Sequence, residues 1–195
     1  MTEIAAQLIS FFFNPVLLLV FVPMILVYRT TGNVVLALAW TGYTMIFLLA
    51  MIFFLFYGVQ KKLFTDMDVS KRTQRPLLFA VSFIMGLVYL AGLFLFHGPK
   101  ILITVVIGII ASVILITFIN MKLKMSIHVA TISALLFSFA LINQGYYYFS
   151  LLLIPLVAWA RLRIKRHTLP ETIVGAIFGI LLSLVMFYIV GHWLV

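Results

Sequence analysis

From Val34 to Tyr57, and again from Ile101 to Met121, the chain carries no charged side chain. A helix needs about 20 apolar residues to cross the hydrocarbon core of a bilayer, and both runs are long enough. Lipid offers no partner to backbone N–H and C=O groups, so a spanning chain must be helical or form a closed barrel. Barrel strands cross in about 9–11 residues of alternating polarity. The runs here are longer and evenly apolar, so helices are predicted. Seven apolar segments can be read: Ile4–Tyr28, Val34–Tyr57, Leu77–Phe96, Ile101–Met121, Ser126–Ile142, Tyr146–Ala160 and Glu171–Val195. Turn or charge signals separate them, among them Arg29-Thr-Thr-Gly-Asn33, His97-Gly-Pro-Lys100 and Asn143-Gln-Gly145. The fifth and sixth are short and are expected to extend into the interface, where Tyr146, Tyr147, Tyr148 and Trp159 are suitable anchors. The prediction is an all-α polytopic transmembrane bundle of six to seven helices, one domain over residues 1–195.

Composition agrees. The chain is 66% hydrophobic and 9% charged, against about 45–50% and 25% for a soluble domain. A soluble fold, disorder and the fibrous classes are excluded. The net charge of +9 would suggest nucleic acid in a soluble protein. Here the charges lie between apolar runs, so lipid headgroups or a phosphorylated substrate are the expected anions, and no nucleic acid is expected. With no cysteine, disulfides, zinc-thiolate sites and thiol nucleophiles are excluded. No cleavable signal peptide is read, because no Lys or Arg precedes the first apolar run and no small-residue cleavage site comes after it.

The cations are strongly one-sided. Loops after the second, fourth and sixth segments share a side with the N-terminus. That side carries Lys61, Lys62, Lys71, Arg72, Arg75, Lys122, Lys124, Arg161, Arg163, Lys165 and Arg166; the other carries Arg29 and Lys100. The positive-inside rule places the basic side in the cytoplasm of an integral membrane protein, here expected in a bacterial cytoplasmic membrane. Lys61, Lys62, Lys122 and Lys124 read as topology signals.

The same side gathers the residues that carry chemistry: Asp66, Asp68 and Glu171 among the acids, and His128 and His167 among the histidines. His97 and His192 lie near the opposite face. His167 and Glu171, four apart, can share a helix face. A carboxylate there can fix the tautomer of the ring, and Arg161 offers a planar fork for phosphate oxygens. Thr168-Leu-Pro-Glu171 also matches a capping box, which explains Glu171 structurally instead. Ser126 is a candidate N-cap with His128 in the first turn after it, a helix end suited to anions. Pro76 suits the first turn of the helix that opens there. Arg72 and Arg75 beside that positive helix end are electrostatically unfavourable unless an anion joins them.

These segments together resemble the type-2 phosphatidic acid phosphatase superfamily of membrane lipid phosphatases and haloperoxidases. Its motifs run K-x6-R-P, then P-S-G-H, then S-R-x5-H-x3-D. This chain has Arg75-Pro76, then Ser126-Ile-His128, then Arg161-x5-His167-x3-Glu171, within motif loops at about 58–76, 122–128 and 160–171. Asp68 stands at the Lys position of the first motif, Met125 and Ile127 at the Pro and Gly of the second, and Ala160 at the Ser of the third. The resemblance implies that His167 is the nucleophile, Glu171 its orienting acid and His128 the general acid. It implies Arg75, Arg161 and Ser126 as phosphate ligands, with Lys71 or Arg72 replacing the missing Lys. The expected reaction is hydrolysis of a lipid phosphomonoester or diphosphate through a phosphohistidine, with no metal and no cofactor. Two alternatives stay open. Asp66-x-Asp68 ahead of Arg75-Pro76 is similar to the magnesium-binding motif of intramembrane prenyltransferases, though a second acidic cluster is lacking. The other is a non-catalytic lipid-binding or transport protein that retains a degenerate phosphatase fold.

Overall fold

The structure is a computed structural model and describes residues 2–194, with side chains through Val190. The side chain of His192 therefore lies outside the described residues, as does Val195. The fold is all-α, and no strand occurs among the described residues. The helices are α1 (Thr2–Phe12), α2 (Pro15–Thr31), α3 (Val34–Gln60), α4 (Arg75–Leu95), α5 (Lys100–Lys122), α6 (Ile127–Asn143), α7 (Leu153–Arg163) and α8 (Leu169–Leu194). Short 3-10 segments cover Arg72–Gln74 and Gly145–Leu152. Among the described residues, six helical runs are long and apolar enough to cross a membrane, and α6 is a shorter apolar helix of 17 residues. Large apolar side chains such as Val35, Phe53 and Phe118 are exposed along α3 and α5, as a lipid-facing surface requires.

Two predicted segments differ in detail. The first, expected as one helix over Ile4–Tyr28, is broken at Phe13-Asn14. Pro15 has no N–H to continue the ladder, and the Asn14 side chain accepts from the Val16 N–H at 2.9 Å, so α2 starts afresh with its own cap. The sixth begins as an eight-residue 3-10 stretch before α7. The tighter winding rises about 2.0 Å per residue against 1.5 Å in an α-helix. Gly145–Arg163 thereby reaches about 32 Å, enough for a bilayer core that its length as plain α-helix would barely match.

The chain divides into two compact units. One holds α1 and α6 to α8; the other, Leu18–Met121, holds most of α2 with α3 to α5. In the second unit, Val27, Ala37, Trp40, Tyr89, Leu93 and Leu102 form the buried core. Polar atoms at this core are paired, with Thr44 Oγ1 2.8 Å from the Tyr89 hydroxyl.

In the first unit, α6 and α8 pack closely because α8 presents glycine where α6 approaches. A Cβ at Gly175 would lie 2.7 Å from the Ser126 carbonyl oxygen, and one at Gly179 would lie 2.8 Å from Ser133 Cβ. Small residues at four-residue spacing let apolar helices touch backbone to backbone, the main source of helix association where lipid replaces water. Ser138 and Ser183 add an interhelical hydroxyl contact of 2.6 Å. α1 packs on α7. This arrangement brings the start of α6, the end of α7 and the start of α8 together.

Candidate functional site

The end of α7 sets the spacing between Arg161 and His167. The Lys165 N–H bonds the Leu162 carbonyl at 3.0 Å, and the Arg166 N–H bonds the Arg161 carbonyl at 3.1 Å. This is the Schellman pattern, with Lys165 in the left-handed region at φ 56° where glycine is usual. The His167 N–H also points to the Arg161 carbonyl, at 3.4 Å. One reversal of the chain thus ties His167 to the helix end that carries Arg161.

α8 then begins at Leu169, and Glu171 in its first turn reaches back. Its Oε2 lies 2.7 Å from His167 Nδ1 and accepts the Thr168 N–H at 3.1 Å. The cap and the His–carboxylate pair, rivals in the sequence, coexist on a single oxygen. The His167 side chain is 2% exposed and that of Glu171 14%. Hydrogen bonding of Nδ1 to a carboxylate assigns the proton to Nδ1 and the ring's lone pair to Nε2.

The second motif meets the third through the main chain. The Ser126 N–H donates to the Glu171 carbonyl at 3.0 Å. Ser126 stands at the N-cap position of α6 as expected, but its side chain makes no cap bond. Ser126 Oγ is buried with no protein hydrogen-bond partner, an arrangement that costs about 1–3 kcal/mol unless another oxygen or nitrogen meets it. His128, in the first turn of α6, is buried as well.

Arg161 is 2% exposed. Its Nη1 donates to Ser10 Oγ in α1 at 2.7 Å. Lys124 reaches the same region: its Nζ donates to the Arg166 carbonyl at 2.7 Å and lies 3.9 Å from Glu171 Oε2. Sequence reasoning missed Ser10 and, in reading Lys124 as a topology signal, did not see its contacts with Arg166 and Glu171. A lone hydroxyl in the apolar run Ile9–Phe11 was the one available sign of Ser10. Nothing in the local pattern marked Lys124.

The residues of the first motif belong to the second unit. Arg75 opens α4, is 2% exposed, and its Nε–H donates to the Val69 carbonyl at 3.2 Å. Lys71 stands at the N-cap position of the 3-10 turn without a side-chain cap bond, and the Arg72 carbonyl accepts from Asn120 Nδ2 at 3.4 Å. Asp66 Oδ1 accepts from the Asp68 and Ser70 N–H groups and from the Ser70 hydroxyl at 3.0–3.3 Å, folding the loop on itself. Among the described residues, no three His, Asp or Glu side chains gather as a metal site would. An open cleft of about 280 Å³ is lined by Trp159, Leu162, Arg163 and Lys165, none of them a candidate site residue.

Comparison of the chain with protein-family models, with curated proteins and with solved structures found no match.

Proposed function

We propose that this membrane protein hydrolyses a lipid phosphomonoester or diphosphate, with His167 as nucleophile. The observation that carries this reading is the 2.7 Å contact of His167 Nδ1 with Glu171 in a nearly dry setting. His167 Nε2 attacks phosphorus, the bond from phosphorus to the lipid-side oxygen breaks, and His128 gives that oxygen a proton. Water then cleaves the P–N bond, with the proton returning to His128. Covalent relay through an activated nucleophile divides one hard step into two easier ones. The burial of Arg161 and the unmet Ser126 hydroxyl support their taking phosphate oxygens, the contribution that electrostatic stabilisation requires. The resemblance to the type-2 phosphatidic acid phosphatases supports the same roles. The purified protein should release phosphate from a panel of lipid phosphates, and EDTA should leave the rate unchanged. A rate that vanishes in EDTA and returns with magnesium would replace this reading with the prenyltransferase-like one. That alternative has Asp66 against it, since its Oδ1 already holds its own loop together.

The site belongs on the cytoplasmic face of a bacterial cytoplasmic membrane. Charge supports this: removing Arg72, Arg75 and Arg161 as phosphate ligands still leaves eight cations facing two. The absence of native cysteine makes labelling clean. Single cysteines replacing Lys62 and Lys165 should resist an impermeant thiol reagent in intact cells. Reaction of both from outside would reverse the orientation.

A further inference from the structure

We infer that Lys124 is a positioning residue that clamps His167 from both sides and offsets the charge of Glu171. The inference rests on the proposed role of His167 and adds to it a residue that no motif contains. A lysine that only marks the cytoplasmic side extends its ammonium toward water and headgroups. The Lys124 side chain is 20% exposed and turns inward. Its ammonium donates to the carbonyl of Arg166, the residue before His167, at 2.7 Å, and stands 3.9 Å from the carboxylate four residues after His167. Its own backbone is anchored by its two C-terminal neighbours. Met125 is fully buried, and the Ser126 N–H is bonded to the Glu171 carbonyl. The segment before α6 therefore meets the α7–α8 loop at one point and the first turn of α8 at two.

The arrangement has two physical consequences. A ring held between an anchored preceding residue and an anchored carboxylate partner has little room to drift, and displacement of a reacting group by about 1 Å is worth about 100-fold in rate. A phosphate approaching His167 also approaches the Glu171 carboxylate. A cation beside that carboxylate removes most of the repulsion, since the paired charges act on the substrate as a dipole and not as a net negative charge.

The test uses the full chain in detergent or lipid, with histidine rings labelled with 15N and the His167 signals identified by their loss in His167→Gln. The wild type should show a hydrogen-bonded Nδ1–H on His167. Lys124→Met should weaken or scramble that signal, and Lys124→Arg should retain it. Phosphate release should fall about 100-fold in kcat in Lys124→Met and recover to within about tenfold in Lys124→Arg. If Lys124→Met fails to insert, Lys124→Gln removes the charge while leaving a donor for the Arg166 carbonyl, and the same signal is read there. An unchanged His167 spectrum in the neutral variant overturns the inference, as does a disturbed spectrum that Lys124→Arg does not restore. If the wild type releases no phosphate from any lipid, the phosphatase reading falls, and the spectra still decide the role of Lys124.

Discussion

Replacing His167 by alanine is expected to abolish phosphate release while the protein still inserts and folds. Loss of a nucleophile in a covalent mechanism removes a factor of order 10⁶ from kcat, since no neighbouring group stands in for it. The fold has little reason to change. Glu171 keeps its bond from the Thr168 N–H and its main-chain bond to Ser126. The glycine contacts of α8 with α6 lie further along the helix and do not involve the ring. The loss is that of one hydrogen bond and a buried ring, on the order of 2 kcal/mol. Two measurements check the prediction together: phosphate release, and capture of a phosphorylated protein that survives base and decays in acid, as a phosphoramidate does. Turnover within tenfold of wild type in the alanine variant would end the His167 mechanism.

How much of this was legible depends on the range of the interaction. The helical segments and their lipid-facing character come from the bilayer, which acts on every residue of a run such as Val34–Tyr57 and leaves an unbroken signal. The break at Asn14-Pro15 was also local, a cap residue and then a proline. It was hidden because hydropathy continues undisturbed across it. The His167–Glu171 pair was legible from its four-residue spacing at a helix start, although His167 lies ahead of α8 and Glu171 reaches back to it from the first turn; the cap was legible from the same short spacing. Neither reading could reveal that one oxygen serves both. Ser10 and Lys124 were not legible. Arg161 meets Ser10 from a distant part of the chain, and Lys124 meets Arg166 across the whole of α6 and α7. Gly175 and Gly179 carry a four-residue spacing in plain view, but the spacing has meaning only once α6 is known to lie against it. The 3-10 winding of Gly145–Leu152 has no strong local cause among its tyrosines; it lengthens a segment that hydropathy had marked as short.

Substitutions at Glu171 separate its helix cap from its proposed catalytic role. Glu171→Ala removes both, so kcat should collapse and stability should fall by about 1 kcal/mol, the usual worth of a helix cap. Glu171→Gln is the sharper experiment. Glutamine serves a capping box as well as glutamate does, and a single oxygen, Oε2, makes both contacts here. The glutamine carbonyl oxygen can therefore take the place of Oε2, hold the Thr168 N–H and still accept from His167 Nδ1. Stability and tautomer should stay close to wild type. What disappears is the negative charge that faces the ring when it turns positive during phosphoryl transfer. At about 3 kcal/mol for a pair this close in a partly buried site, kcat should fall by about 100-fold. The two readouts are a thermal unfolding midpoint and single-turnover phosphate release on the same preparation. A Gln variant with lowered stability and unchanged turnover would make Glu171 a cap and nothing more. A lowered midpoint with turnover reduced to the level of Glu171→Ala would mean that the amide has flipped, presenting its NH2 both to the Thr168 N–H, which loses its cap, and to the ring, which is forced into the other tautomer.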